Sequence, residues 1–436
     1  MPTSPSSLNN LHAWQAAALL ARRELTAVDL ARACLDRIAE REPHVQAFVH
    51  RDADAAMARA RALDAGPLRG LLHGLPFGVK DLFDTFDAPT GYGSPIYAAQ
   101  QPLSDAAAVA LCREAGAVLL GKTVTTELAN MHPGVTRNPH RLSHTPGGSS
   151  SGSAAAVADF MLPLALGTQT AGSLIRPAAF CGVVGYKPSH NRVPKAGVKS
   201  LSETLDTVGG FGRCVRDVAL LGAVLTGDLR LADPGAFDQP AHPRVGFCQT
   251  PEWAAADEDT RQAWELATRA LANHGAALAW PAELTGLVGV QKQVQAYETA
   301  RSLTHERLHH TAQLSAPLQT LIAEGLAVSG EAHAKNLLTT AHARQHVAQL
   351  FQNCDVLLCP SSVGEAPAGL ASTGDPVFCR TWTLLGLPCV HLPFTRGQSG
   401  LPLGLQLVGA YGDDHRLLAA AHHVHESLMR AGIQPS

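Results

Sequence analysis

The sequence predicts an α/β fold, and three features carry that prediction. From about Leu71 onward, short apolar runs alternate with helical stretches. Two loops built of small residues, 147–153 and 168–173, enclose one strand candidate. Beyond residue 350 strand-like runs return and are followed by a last helical pattern, as if the end of the chain rejoined the first sheet.

The first sixty residues read as helix. Thr26-Ala-Val-Asp29 is a capping-box variant ahead of an amphipathic run that Pro43 is expected to stop, and a second helix fits Asp52 to Leu63. Next come a strand candidate over Leu75 to Val79, a helix over Ala106 to Ala115 with Ser104 as its cap, and a strand over Ala117 to Leu120. The stretch GGSSSGS at 147–153 leads straight into helix-prone Ala154 to Ala158. Pattern presses on it from both sides, so it reads as a tight functional loop, not a linker. Leu162 to Leu166 is the next strand, ending in Thr168 to Ser173, and Cys181 to Tyr186 is another apolar run. A segment rich in Pro, Gly and Asp between Thr226 and Arg244 precedes helical patterns over Asp257 to Asn273 and Leu284 to His310. Strands are expected at Val356 to Leu358, Cys389 to Leu392 and Leu403 to Val408, and a final helix near His415 to Met429. These boundaries divide the chain into N-terminal helices (1–70), a core (71–225), a variable helical region (226–350) and a C-terminal return (351–436).

Composition narrows the function classes. With 46% apolar and 16% charged residues in 436, the chain is a packed protein. A net charge of −3 provides no basic field for nucleic acid or an anionic membrane. Nine scattered cysteines do not form a disulfide framework. No Lys or Arg precedes the first apolar stretch, and the charge-free run Phe160 to Ile175 is too short to span a bilayer. A cytoplasmic protein without nucleic-acid or membrane partners is expected.

Three local patterns compete for a function. Gly116 to Thr123 matches the phosphate-loop pattern G-x4-G-K-[ST], but its inner residues are themselves the strand candidate, so a buried strand ending in a turn is the better reading. His305-Glu306-Arg-Leu-His309 matches the zinc-hydrolase pattern H-E-x-x-H. Its metzincin third ligand is missing, with Ala312 and Ser315 at those places, which leaves Glu324 and Glu331 as candidates. Cys181 has no assignable histidine partner and reads as a small buried hydrophobe.

A broader pattern covers far more chain. Gly78-Val-Lys80-Asp81, Thr145-Pro-Gly-Gly-Ser149-Ser-Ser-Gly-Ser and Gly167-Thr-Gln-Thr-Ala-Gly-Ser173-Leu-Ile-Arg176-Pro closely resemble the amidase signature family. Leu205 to Gly209, Cys354 to Ser361 and Gly400 to Gly409 resemble it too, whereas about 225–350 lacks its texture. The resemblance implies one large α/β/α unit with a central mixed β-sheet flanked by helices, assembled as a homodimer and working without a cofactor. In that family a lysine, a serine held by a cis peptide bond and a nucleophilic serine form a chain of hydrogen bonds. The corresponding positions are Lys80, Ser149 and Ser173.

The chemistry explains why such residues are needed. A serine hydroxyl requires a base to take its proton as it attacks an amide, and a lysine can serve only when neutral, so burial must lower its pKa from about 10.4. The turn Thr170-Ala171-Gly172-Ser173 can aim consecutive backbone N–H groups at one oxyanion. Gln169 and Ala171 depart from the aspartate and glycine of many members, including transfer-RNA amidotransferase subunits, and make the loop similar to malonamidases. Gln169 therefore bears on the substrate pocket. Arg176 could pair with a substrate carboxylate or form a structural ion pair. The expected activity is hydrolysis of a small linear carboxamide to a carboxylate and ammonia. The alternatives are an arylamidase or biuret-type hydrolase, a noncatalytic or amidotransferase-type subunit, and the zinc hydrolase.

Overall fold

The computed structural model describes residues 5–238 and 242–431. Its frame is one mixed sheet of eleven strands. In chain order these are β1 (Phe48–Arg51), β2 (Pro76–Lys80), β3 (Val118–Thr123), β4 (Leu164–Gln169), β5 (Val184–Lys187), β6 (Thr207–Gly212), β7 (Val245–Phe247), β8 (Gly275–Ala277), β9 (Val356–Pro360), β10 (Cys389–Arg396) and β11 (Pro402–Val408). Across the sheet the order is β1-β3-β2-β4-β6-β5-β10-β11-β9-β7-β8. The neighbours β3, β2 and β4 run parallel, as do β9, β7 and β8, while the pairings between β4 and β9 are antiparallel. Every residue of β2, β4, β5, β6, β9 and β11 is buried, which requires cover on both faces of the sheet.

The cover is helical. Along the first half of the chain it comprises α1 (Ala13–Ala21), α2 (Ala27–Val45), α3 (Ala53–Ala65), α4 (Ala107–Glu114), α5 (Ser151–Ala158), α6 (Ile175–Cys181) and α7 (Val215–Thr226). Local chemistry sets several boundaries. Thr26 Oγ1 accepts the Asp29 N–H at 3.0 Å at the start of α2, and Asp52 caps α3 by accepting the Ala55 N–H at 2.9 Å. The last helix spans Asp414–Arg430.

Several boundaries differ from the sequence expectation. Pro43 does not stop α2, which runs on to Val45 and closes with Gln46 at φ 55°. A proline this close to a helix end forfeits one backbone bond, and the turn that follows is ending anyway. The N-terminal region is not all helix: Phe48 and its neighbours form β1, which pairs with the edge of β3. Ser104 does not cap α4, since the N-cap position falls on Ala106. The long pattern over Leu284 to His310 breaks at Leu303 into the helices Leu287–Ser302 and Thr304–His309. Residues 226–350 are not helical throughout, for they also contribute β7 and β8 to the far edge of the sheet.

Candidate active site

Parallel pairing brings the first two elements of the site together. β2 and β4 are neighbours in one direction, so Lys80 at the end of β2 meets Thr168 near the end of β4. The serine-rich loop before α5 is then tied to these strands residue by residue. Ser150 Oγ accepts the Thr168 N–H at 3.3 Å, Ser151 donates to Val124 O at 3.3 Å, and Ser153 donates to Leu166 O at 2.8 Å. Gly152 is required by close approach, because a Cβ there would stand 2.2 Å from Ala47 O and 2.4 Å from Val124 N. The peptide bond between Gly148 and Ser149 is cis.

Ser149 is turned inward. Its Oγ lies 2.7 Å from Lys80 Nζ, and Thr168 Oγ1 lies 2.7 Å from the same nitrogen. Lys80 is 0% and Ser149 1% exposed. Burial penalises the ammonium and pulls the lysine down from its usual 10.5 to about 7, against the weaker opposing pull of Asp206. An amine with a substantial neutral fraction near pH 7 is the result. Asp206 is itself held by Thr170 Oγ1 at 2.6 Å and by the N–H groups of Leu201 and Ser202 at 2.8 and 3.0 Å.

Ser173 sits on the turn from β4 into α6 and is 8% exposed. Among the described residues its hydroxyl makes no hydrogen bond, so the link from Ser149 to Ser173 is open in this structure. Such bonds are commonly long in unliganded enzymes and tighten in the substrate complex. The N–H groups of Ala171, Gly172 and Ser173 likewise donate to no partner among the described residues. A cavity of about 60 Å³ lined by Ala129, Thr168, Thr170, Lys199, Asp206 and Val208 borders this turn.

Two side chains considered for substrate contact have other partners. Arg176 is buried, with Nη1 on Gly374 O and Nη2 on Gly148 O at 2.8 Å. It fastens the turn bearing Ser173 to the cis peptide bearing Ser149, in place of an open carboxylate clamp or an ion pair. Gln169 Oε1 accepts the Leu174 and Ile175 N–H groups at 2.9 and 3.1 Å, while its Nε2 donates to Thr383 Oγ1 at 2.9 Å. Free N–H groups at the start of α6 are thereby satisfied, so Gln169 supports the turn and does not face a pocket.

The competing patterns dissolve in three dimensions. Lys122 of the phosphate-loop match lies within β3, 0% exposed at its side chain and paired with Asp81 at 3.0 Å. The zinc-hydrolase reading is corrected. His305 and His309 are exposed, whereas Glu306 is buried, where it pairs with Lys199 and accepts the Tyr97 hydroxyl at 2.6 Å. Among the described residues the one cluster of potential metal ligands is His12, Cys214 and Asp217, without any of the three. Cys181 is buried with its thiol pushed up by burial, and its Sγ donates to Pro146 O at 3.4 Å.

Sequence reasoning missed Thr168 as the second neighbour of Lys80, although it stands one residue before Gln169 in the quoted motif. It also missed Gln291, which donates to Thr170 O of the turn bearing Ser173 from 225–350, and Arg380 of the C-terminal part, which donates to Gln291; no motif marks either.

Comparison with known proteins agrees with this geometry. The family model described as Amidase matches residues 29–418. A glutamyl-tRNA(Gln) amidotransferase subunit of Acidothermus cellulolyticus is 41% identical over 295 residues, covering 62% of this chain and 58% of that protein, so the match spans little more than half of that relative. The corresponding subunit of Roseiflexus castenholzii is 33% identical over 476 residues, with 94% of each chain covered. A crystal structure of an amidase superposes with a TM-score of 0.87 at 31% identity, covering 95% of this chain and 99% of that one. The chain belongs to the amidase signature family, whose members act on amide C–N bonds.

Proposed function

We propose that this enzyme hydrolyses a small linear carboxamide to a carboxylate and ammonia through an acyl-enzyme on Ser173. The observation that carries the reading is Lys80: a buried amine whose pKa is pulled down to about 7, in contact with the Ser149 hydroxyl. Lys80 accepts the Ser149 proton while Ser149 takes that of Ser173, and Ser173 Oγ attacks the amide carbonyl. The unpartnered N–H groups of the 170–173 turn receive the oxyanion. Collapse of the tetrahedral intermediate breaks the C–N bond, the proton returns along the same path to the leaving amine, and water releases the carboxylate. Arg176 positions both serines through the backbone carbonyl it holds.

Hydroxylamine trapping tests the intermediate: acyl transfer to give a hydroxamate is expected, and an active enzyme that never yields one contradicts the scheme. Ser173→Ala should abolish turnover and Lys80→Ala nearly so. A panel of malonamate, aliphatic amides, anilides and biuret separates the small-amide reading from arylamidase and biuret-type readings.

A second reading draws on the names of the curated relatives, which are amidotransferase subunits. In it the chain would release ammonia from an amide donor for a partner. Copurification of a stoichiometric partner, with amide hydrolysis dependent on it, would favour this reading; full activity of the isolated chain or homodimer would exclude it.

A further inference from the structure

The wall against which the nucleophile turn rests contains a guanidinium that the scheme above does not use. The helix Val377–Leu385, with Pro376 at its N-cap, presents Pro376, Cys379, Arg380 and Thr383 on one face, at helical spacing. That face meets the turn. Thr383 Oγ1 donates to Ala171 O at 2.8 Å, and a Cβ on Gly172 would stand 2.7 Å from Pro376 Cβ. From the other side Gln291, on the helix Leu287–Ser302, donates to Thr170 O at 3.1 Å.

Arg380 lies between these contacts. Its Nη1 donates to Gln291 Oε1 and to Gln295 Oε1, the latter at 3.2 Å, and Gln291 Nε2 braces Gln295 Oε1 at 3.1 Å. The guanidinium is thus fixed through one nitrogen. Nε is buried without a partner, and Nη2 makes no hydrogen bond among the described residues. No carboxylate of the described residues forms an ion pair with it; Asp375, exposed at the start of the same helix, attracts it only from beyond that distance. Arg380 is 9% exposed, close to the 8% of Ser173, so both keep a narrow window to solvent. A buried cation whose direct partners are neutral is costly, and the cost is relieved when an anion arrives. Nε and Nη2 form one edge of the group, the arrangement that takes a carboxylate with two parallel hydrogen bonds.

We propose that Arg380, held by Gln291 and Gln295 against the nucleophile turn, binds a carboxylate on the acyl part of the substrate, so that the enzyme selects small amides that carry an anionic end. This rests on the amidase reading and names its substrate class. Arg380 is a specificity residue here, and Arg176, whose Nη groups hold backbone carbonyls, is not the clamp.

The test compares pairs of equal size that differ in charge: malonamate with malonamide, and succinamate with succinamide. Wild-type kcat/KM should favour the acid of at least one pair by about 30-fold or more, the scale of a desolvated charge pair. In Arg380→Gln that ratio should fall to within about threefold of unity, and Arg380→Lys should restore only part of it because an ammonium lacks the planar edge. A wild type that treats acid and diamide alike in both pairs, or an Arg380→Gln enzyme that keeps the wild-type ratio, overturns the proposal. Binding of malonate and succinate by calorimetry separates this from failure of the hydrolytic reading. Binding that disappears in Arg380→Gln supports the subsite even if no amide is turned over, whereas absence of binding to wild type together with no acid preference overturns it. The wild-type arms decide the matter even if the variant does not fold.

Discussion

Replacing Lys80 with methionine should make the protein more stable, and by an amount that depends on pH in a defined way. In the unfolded chain the amine titrates near 10.5, and in the folded protein near 7. Between those values the unfolded state carries a proton that the folded state has lost, so wild-type stability rises with pH by about 1.4 kcal/mol per pH unit. Below about 7 both states are protonated and the burial penalty is fully expressed; over the whole window it amounts to about 5 kcal/mol. Methionine fills similar space and has no titration. It does leave the hydroxyls of Ser149 and Thr168 without the amine, at about 1–3 kcal/mol, but this offset does not vary with pH. Urea unfolding of both proteins at pH 6 and pH 9 measures the effect. The wild-type stability minus that of Lys80→Met should increase by about 3 kcal/mol from the lower to the higher pH. Other titrating groups cancel in that difference. A difference flat to within about 0.5 kcal/mol would mean that Lys80 does not titrate near 7, and the general-base argument would fail with it.

The same titration should govern rate: kcat/KM for a neutral amide should fall about tenfold per pH unit below about 7 and level off above it, which stopped assays across pH 5 to 9 would read. Arg176→Met should lower kcat more than it raises KM, because the carbonyls of Gly148 and Gly374 lose their donor and the two serines lose their register; it should also cost about 2–4 kcal/mol in urea unfolding. Gln169→Leu should cost about 1–3 kcal/mol by stranding the Leu174 and Ile175 N–H groups, with little change in which substrates are preferred. Asp81→Asn should destabilise by about 3–5 kcal/mol, since Lys122 would keep a buried charge without its partner, and a variant as stable as wild type would refute the pairing.

Legibility in the sequence follows how local the determining interaction is. The cap at Thr26 is readable because donor and acceptor lie three residues apart. The loop 147–153 is readable as a functional turn because its residues have almost no side chain and fit against strand ends. Its helix nevertheless starts earlier than the alanine run, at Ser151, because the serines hydrogen-bond to the strand backbones instead of staying in the loop. Arg176 is ambiguous for a different reason. Its partners stand 28 and 198 residues away, and no pattern around position 176 announces them.

By itself the sequence determined the periodicity of the elements, a net charge that supplies no global basic field, and the motifs that resemble the amidase signature family. Tertiary structure alone decided which of those groups meet. It ordered the eleven strands, added β7 and β8 to the far edge, buried Lys80 against two hydroxyls, gave Gln169 and Arg176 to the backbone, and set Arg380 on Gln291, which holds the turn bearing Ser173. The physical reason is that burial and hydrogen-bond partners are properties of the packed chain: an amine titrates near 7 only when distant segments exclude water from it together.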